Sequence, residues 1–349
     1  MKSGKFGTCA AIAAIATSIP FAVYSHHSPN VHFDRTQTIE FTGELVELDW
    51  RNPHVLMTVH STDDQGNAIE WELEYLAPSF LSRQGITRDL FNIGDTIRVA
   101  GFPGRSNPHA VFTTNILAAN GQEVFDFQVS EARFTDNTVG LTFAEYQDTK
   151  RAVQPQPAED IFRTWSTDVS VIGPERAMWK ETYPLTESAR VTRENWDRVA
   201  DNPYIRCENG MLAIMDQFYA MEIVDAGDEI LIHLEELDVQ RTIYMTDDTP
   251  EPVVNPYGFS KGRWENDTLV VDTTHINWPW FDQTGVPMSE AVTMVERFWL
   301  SDDRQHLEYS VTATDPETFT EPVTLTRDWI WLPGETRQPY DCTVQEGNY

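Results

Sequence analysis

Basic side chains are scarce in this sequence of 349 residues. Only 25 lysines and arginines stand against 55 aspartates and glutamates, which gives a formal net charge of −30 at pH 7. A surface of this sign repels the phosphates of nucleic acids and of anionic membranes. We therefore expect no nucleic-acid partner, and we interpret the acidic surface as a solvated one that keeps the protein soluble.

Cysteine is also rare, with three residues in the whole chain. Residues 1–25 have the pattern of a cleaved secretory signal peptide, in which two early lysines precede an apolar, alanine-rich run that contains Cys9. That run is too short for a good membrane span, so we expect no integral membrane anchor and a periplasmic or secreted protein; a retained anchor is the alternative. Cleavage leaves Cys207 and Cys342, which we expect to pair in an oxidising compartment. A catalytic thiol is the alternative.

The sequence lacks a phosphate-binding glycine loop, a GxSxG nucleophile motif and any evident repeat of 20 to 50 residues. β-strand patterns are abundant instead. Residues 26–126 contain five of them, separated by turn-forming residues, with a short helix after the third. This order is typical of a small OB-type barrel. The predicted strands are Thr38–Asp49, Val55–Ser61, Ala68–Tyr75, Thr96–Gly101 and Ala110–Ala118, and the predicted helix is Ala77–Gln84.

The remainder of the chain divides into a connector and a second β domain. Residues 127–200 lose strand alternation and are rich in proline, so we predict a connector with short helices, one of them near Thr186–Val199. Residues 201–349 alternate again and predict an antiparallel, lipocalin-like barrel with an interior cavity. The fold class is therefore all-β. The predicted strands of this domain are Met211–Val224, Glu229–Glu236, Val239–Met245, Thr268–Thr274, Ala291–Leu300, His306–Thr314 and Val323–Leu332.

Several motifs resemble those of a known family. The motifs HHS at residues 26–28, WRNPH at 50–54 and EWELE at 70–74 resemble a family of secreted bacterial proteins that is named only as a domain of unknown function. The second domain resembles the barrel often fused to it, through motifs that include GFSKGRWE at 258–265 and DTLVVDT at 267–273. His275-Ile276 and Met288 depart from the family pattern, which has Gly-Phe and His there. The resemblance implies this domain arrangement but no activity, because none is established for the family.

The predicted mature N-terminus is a candidate copper site. Cleavage after Ser25 leaves His26 with a free α-amine, and this nitrogen together with imidazole nitrogens favours Cu(II). The alternative is that the histidines after Asn-Pro, at positions 54 and 109, only cap the entrances of strands. The candidate metal ligands are His26, His27 and His54, with His32, His60 and His109 as further possible partners.

The stretch from Gly258 to Asp303 is a second candidate site, because it predicts a strand, a long loop and another strand. Glu296 lies on an apolar strand face, where a carboxyl should have a raised pKa unless it is paired. One hypothesis is that Glu296 and nearby ionisable residues carry out acid–base catalysis. The alternative is a structural ion pair of Glu296 or Asp272 with Arg263 or Arg297. The candidate catalytic residues are Asp272, His275, Asp282 and Glu296.

The same stretch carries an unusual number of large apolar side chains, which line a pocket or plug one end of the barrel. Because barrels with an unfilled interior hold one ligand, the favoured function is binding of a small, largely apolar molecule in the second barrel. The alternatives are an enzyme (a lyase, isomerase or hydrolase) and a copper-binding protein. The candidate pocket residues are Trp278, Trp280, Phe281, Met294 and Phe298.

Overall fold

The structure, a computed structural model, describes residues 33–126, 131–140, 157–167, 178–197, 200–331 and 334–342. Nearly all of its regular elements are strands, which form two barrel-like sheets. The predicted all-β class is confirmed. The predicted signal peptide and the histidines at positions 26, 27 and 32 lie outside the described residues. Within the described ranges, no helix is long and apolar enough to span a membrane.

The first domain is a closed five-stranded barrel. The first strand pairs with the second and the fourth, the fourth pairs with the fifth, and parallel pairing between the third and fifth strands closes the sheet. Helix α1 follows the third strand, as expected for an OB-type barrel. Every predicted boundary in this domain lies within two residues of the observed one. The elements are β1 (Ile39–Asp49), β2 (Leu56–Thr62), β3 (Ala68–Glu74), α1 (Pro78–Arg83), β4 (Thr96–Pro103) and β5 (Ala110–Leu117).

The second domain is a nearly closed barrel of nine strands. Consecutive strands pair throughout, and a bridge between Ser166 and Ile330 brings the first and last strands together. All pairs are antiparallel except one, in which the strands Val239–Tyr244 and Phe259–Glu265 run parallel. The elements are β8 (Thr164–Trp165), β9 (Met221–Asp225), β10 (Glu229–Leu234), β11 (Val239–Tyr244), β12 (Phe259–Glu265), β13 (Thr268–Thr274), β14 (Thr293–Leu300), β15 (His306–Thr314) and β16 (Val323–Ile330).

The connector contributes to both sheets. Strand β6 (Glu123–Phe125) follows β5 along the first sheet, and β7 (Thr138–Val139), from the connector, pairs with it. The connector also supplies β8 of the second barrel and helix α2 (Glu187–Glu194). Side-chain capping by Thr186, which accepts a hydrogen bond from the Ala189 N–H, begins this helix close to its predicted start.

The predicted strand Met211–Val224 is wrong over most of its length. Residues Ala213–Asp216 form a turn of 3₁₀ helix, and only the segment from Met221 onward is extended. The apolar run is buried on all sides rather than alternately, because the turn packs inside the barrel. This folding directs Asp216 towards Arg327 of β16, with which it forms an ion pair.

Loops from distant parts of the chain meet at one end of the second barrel, which we call the loop end. It holds the turn between β10 and β11 (residues 235–238), the segment before β12 (residues 255–258) and the loop between β13 and β14 (residues 275–292). Backbone hydrogen bonds join the last two, from Asn255 N–H to the His275 carbonyl and from Asn277 N–H to the Asn255 carbonyl. The sequence stretch with the most aromatic residues therefore lies at this end.

The two domains contact each other beside the loop end. The side-chain amide of Asn52, in the first domain, donates a hydrogen bond of 2.9 Å to Oε1 of Glu235, in the β10–β11 turn. The C-terminal segment contributes as well, because the Gln338 N–H donates to Oε2 of Glu235 at 2.8 Å. The predicted disulfide between Cys207 and Cys342 is confirmed, and it ties this segment to the start of the second domain.

Candidate functional site

Strand β14 directs alternate side chains into the barrel. Met294, Glu296 and Phe298 are at most 1% exposed, whereas Arg297 and Trp299 point outward. The predicted inward face of this strand is therefore confirmed. It places one carboxylate on a strand face whose other inward side chains are apolar.

Glu296 is saturated with hydrogen bonds. Arg241 of β11 binds it in a bidentate manner, with Nη1 3.1 Å from Oε1 and Nη2 2.8 Å from Oε2. The Tyr309 hydroxyl donates to Oε1 at 2.8 Å, and the Thr273 hydroxyl donates to Oε2 at 2.8 Å. A bidentate guanidinium and two hydroxyls compensate a buried carboxylate well. This constellation therefore fixes the interior of the barrel.

The cation that pairs with Glu296 differs from the two expected partners. Arg297 follows Glu296 on the same strand, so its side chain points to the opposite face. Arg263 also lies outside, where it forms an ion pair with Asp272, as the structural alternative expected. Burial is the largest single effect on the pKa of Arg241 and lowers it, but the charge of Glu296 and its hydrogen bonds together outweigh burial, so the pKa of Arg241 lies above its ordinary value. Arg241 therefore remains charged.

The other three catalytic candidates lie apart from Glu296. Asp272 is exposed on the outer face of β13, and His275 is exposed with its Nδ1 2.8 Å from the Thr274 hydroxyl. Asp282 is buried, where desolvation raises its pKa, and it accepts hydrogen bonds from the Thr284 N–H and hydroxyl. In the described part of the chain, no hydrogen bond joins any two of the four candidates.

The aromatic pocket candidates pack as a layer over the loop end. Phe281 is fully buried, and its ring centroid lies 4.8 Å from that of Phe319. Trp280 is partly buried and meets Trp196 edge to face. Trp278, at 9% exposure, lies against Gly210, where an added Cβ would be 2.5 Å from the indole Cδ2. Only glycine at this position permits so close an approach.

Sequence reasoning missed a polar group that reaches this layer. The Tyr257 hydroxyl donates to Oδ1 of Asn209 at 3.1 Å, and Nδ2 of Asn209 donates to Oε1 of Glu236 at 3.1 Å. Asn209 immediately precedes Gly210, so the chain of hydrogen bonds lies beside Trp278. We refer to Asn209, Glu236, Tyr257 and Trp278 as the Glu236 group.

Glu236 is a buried carboxyl whose pKa lies close to neutral pH. It is 9% exposed, and burial raises its pKa to about 7, an effect that the hydrogen bond from Asn209 opposes. The negative charge of Asp216 raises this pKa further, and the positive charge of Arg327 lowers it. Among the described residues, no basic nitrogen lies within 4 Å of its carboxylate. Both protonation states are therefore accessible near neutral pH.

The turn that carries Glu236 has an unusual backbone. Leu237 and Asp238 have φ values of 56° and 49°, in the left-handed region that residues other than glycine rarely adopt. The hydrogen bonds of Glu235 to Asn52 and to the Gln338 N–H hold this turn in place. Such conformations cost on the order of 1–3 kcal/mol each and are concentrated at functional sites. The first domain and the C-terminal segment thus support the position of Glu236.

A groove of about 600 Å³ also lies on the outer surface of the second barrel, next to the parallel strands β11 and β12. Asp272 and Arg263 line it together with Phe259 and Lys261. Its charged side chains are already paired, Arg263 with Asp272 and Lys261 with Asp247. Among the described residues that line this groove, no charged side chain is therefore unpaired.

The copper hypothesis stays a prediction. Of its ligands only His54 is described, and its Nδ1 lies 3.2 Å from the Tyr75 carbonyl oxygen and 3.4 Å from Oε1 of Glu74. No cluster of three or more histidine, cysteine or acidic side chains in the described ranges is arranged to hold a metal ion. His26 and His27 lie outside those ranges.

Comparison with known proteins bears on the first domain. Residues 13–121 match the model of a family of unknown function, DUF6152. A search of curated proteins gives no match for the chain. The expected fusion of this domain to the family's usual barrel stays a prediction. The first domain is thus similar to a family of unknown function, and this similarity supplies no activity for the chain.

Proposed function

We propose that this protein binds one small molecule at the loop end of the second barrel, against the Glu236 group. The observation that carries the proposal is the convergence of a phenol, a carboxamide and a carboxyl beside an indole, next to the contact between the domains. Ligand sites typically combine an apolar wall with a few convergent polar groups, and they are frequent where domains meet. The apolar part of the ligand packs against Trp278, and its polar part contacts Asn209 and Glu236.

The deeper interior is less suited to a ligand. Phe298, Tyr309 and Trp329 are fully buried, and their rings lie 4.8 to 5.6 Å apart from one neighbour to the next. The ion pair of Arg241 and Glu296 occupies the space beside them. These contacts support the barrel, so we place the ligand at its end and not at its centre.

We further propose that the protein is secreted. A disulfide between Cys207 and Cys342 is typical of proteins from oxidising compartments. The signal-peptide pattern of residues 1–25 supports the same compartment.

Acid–base catalysis at the same site is the second candidate function. It is favoured by one observation: burial raises the pKa of Glu236 to about 7, so this carboxyl can both accept and donate a proton at neutral pH. Tyr257, which reaches Glu236 through Asn209, would then position the reacting group.

A thermal-shift screen of a small-molecule library tests the proposal. Compounds that bind at the proposed site raise the melting temperature of the wild type, and this rise is lost in Glu236→Gln and Tyr257→Phe. Tyr244→Phe is the matched control, because Tyr244 stacks on Phe259 at the surface of β11 and β12. Hits whose effect survives both site variants would contradict the proposal. Conversion of a hit by the wild type but not by Glu236→Gln would favour the enzyme.

A further inference from the structure

We infer that the ligand of the Glu236 group carries a positively charged amine, whose ammonium group binds the Glu236 carboxylate. This inference rests on the proposed function and names the chemical class of the ligand.

The first step is a comparison of three buried carboxylates. Glu296 is paired with Arg241, and Asp216 is paired with Arg327. In the described part of the chain, Glu236 has no such partner. Because an unpaired buried charge is costly, a carboxylate at this position calls for a cation from outside the chain.

The second step concerns Oε2 of Glu236, the carboxylate oxygen that accepts no hydrogen bond from the described residues. Oε1 accepts a hydrogen bond from Asn209, whose orientation is fixed in turn by the Tyr257 hydroxyl. No described residue donates to Oε2. Glu236 also retains 9% of its surface, whereas Glu296 retains none. Oε2 is therefore a buried acceptor without a donor among the described residues, and the incoming N–H group is assigned to it.

The surrounding charges do not prevent a cation from binding. The positive charge of Arg327 acts on Glu236, but Arg327 is paired with Asp216. Its Nη2 also donates to the Gln217 carbonyl at 2.6 Å and to the Thr167 hydroxyl at 3.2 Å. Asp216 itself contributes negative potential at Glu236. The net charge of −30 on the chain also attracts cations from solution.

The apolar neighbours suit an amine with an apolar or aromatic body. Trp278 packs against Gly210, next to Asn209, and the hydroxyl of Tyr257 donates to Asn209. Aromatic rings of this kind attract ammonium groups. A small primary amine on an aromatic body therefore matches both parts of the site.

Isothermal titration calorimetry with two probes of equal shape, benzylamine and benzyl alcohol, tests the inference. We expect benzylamine to bind the wild type at pH 8 at least tenfold more tightly than benzyl alcohol. At pH 5.5 the amine stays protonated but Glu236 becomes neutral, so its affinity should fall by about tenfold or more. Glu236→Gln should lose at least tenfold in affinity at pH 8. The control Glu290→Gln removes one exposed charge from the β13–β14 loop and should bind like the wild type.

The outcomes separate this inference from the proposed site. Benzyl alcohol could bind at least as tightly as benzylamine, with an affinity that depends on Glu236. This result would refute the inference that the ligand is a cation but would still support the proposed site. Binding of benzylamine that is equal in the wild type and Glu236→Gln would contradict both. If neither probe binds, the inference that the ligand is an amine is refuted. The thermal-shift screen then tests whether the Glu236 group binds a ligand of another class.

Discussion

Replacing Arg241 by methionine tests the role of the buried ion pair. Arg241 and Glu296 are 2% and 0% exposed at their side chains, so the pair is shielded from solvent. Arg241→Met keeps much of the side-chain volume but removes both guanidinium hydrogen bonds. Glu296 then retains only the hydroxyls of Tyr309 and Thr273.

The expected cost follows from the uncompensated charge. Removal of one partner from a buried ion pair typically costs about 3–5 kcal/mol, because the other charge stays buried. The double variant Arg241→Met/Glu296→Leu removes that charge as well. It leaves the Tyr309 hydroxyl without its acceptor, at about 1–3 kcal/mol. The double variant should therefore be more stable than Arg241→Met alone.

Urea denaturation with the disulfide intact measures these differences, with tryptophan fluorescence as the signal. Trp329 lies 5.6 Å from Tyr309 by ring centroids and reports on this part of the barrel. Arg263→Met is the matched control. It breaks the pair with Asp272, in which both side chains are 49% exposed, and should cost less than about 1 kcal/mol.

Two results would refute this reasoning. One is an Arg241→Met variant that is no less stable than Arg263→Met. The other is a double variant that is less stable than Arg241→Met, which would mean that the carboxylate stabilises the barrel without its cation.

Three further predictions concern the contacts around the loop end. Because burial raises the pKa of Glu236 from 4.5 to about 7, the folded state holds a proton that the unfolded state has released between these values. Stability should therefore fall by about 3 kcal/mol as pH rises from 4.5 to 7, and urea denaturation of Glu236→Gln should lack this contribution. The Cys207→Ser/Cys342→Ser variant opens a loop of 135 residues and should lose about 5 kcal/mol in the same assay. Asn52→Leu removes the side-chain amide that donates to Oε1 of the buried Glu235 and should cost about 1–3 kcal/mol, whereas exposed Asn120→Leu should cost little.

The strands were largely predictable because local patterns specify them. In the first domain, alternating residues and clear turn signals gave five strands and a helix in the observed order. In the second domain, the same alternation placed Glu296 inside the barrel. The Met211–Val224 prediction failed because an apolar run does not distinguish a strand from a buried turn.

The candidate site was less predictable because its contacts join distant segments. Arg241 lies 55 residues before Glu296, and only the closed barrel brings them together. The sequence pattern predicts Glu236 as the last residue of the strand Glu229–Glu236 and does not mark it as a site residue. Its raised pKa depends on burial between loops, on Asn209 and on Asp216, none of which local sequence patterns reveal.

Native mass spectrometry of the mature protein, purified from its own compartment without exchange of small molecules, tests the central claim most directly. We predict one small organic adduct per chain in the wild type and in Tyr244→Phe, and none in Glu236→Gln or Tyr257→Phe. A wild type without an adduct, or an adduct that persists in both site variants, would contradict a ligand site at the loop end of the second barrel.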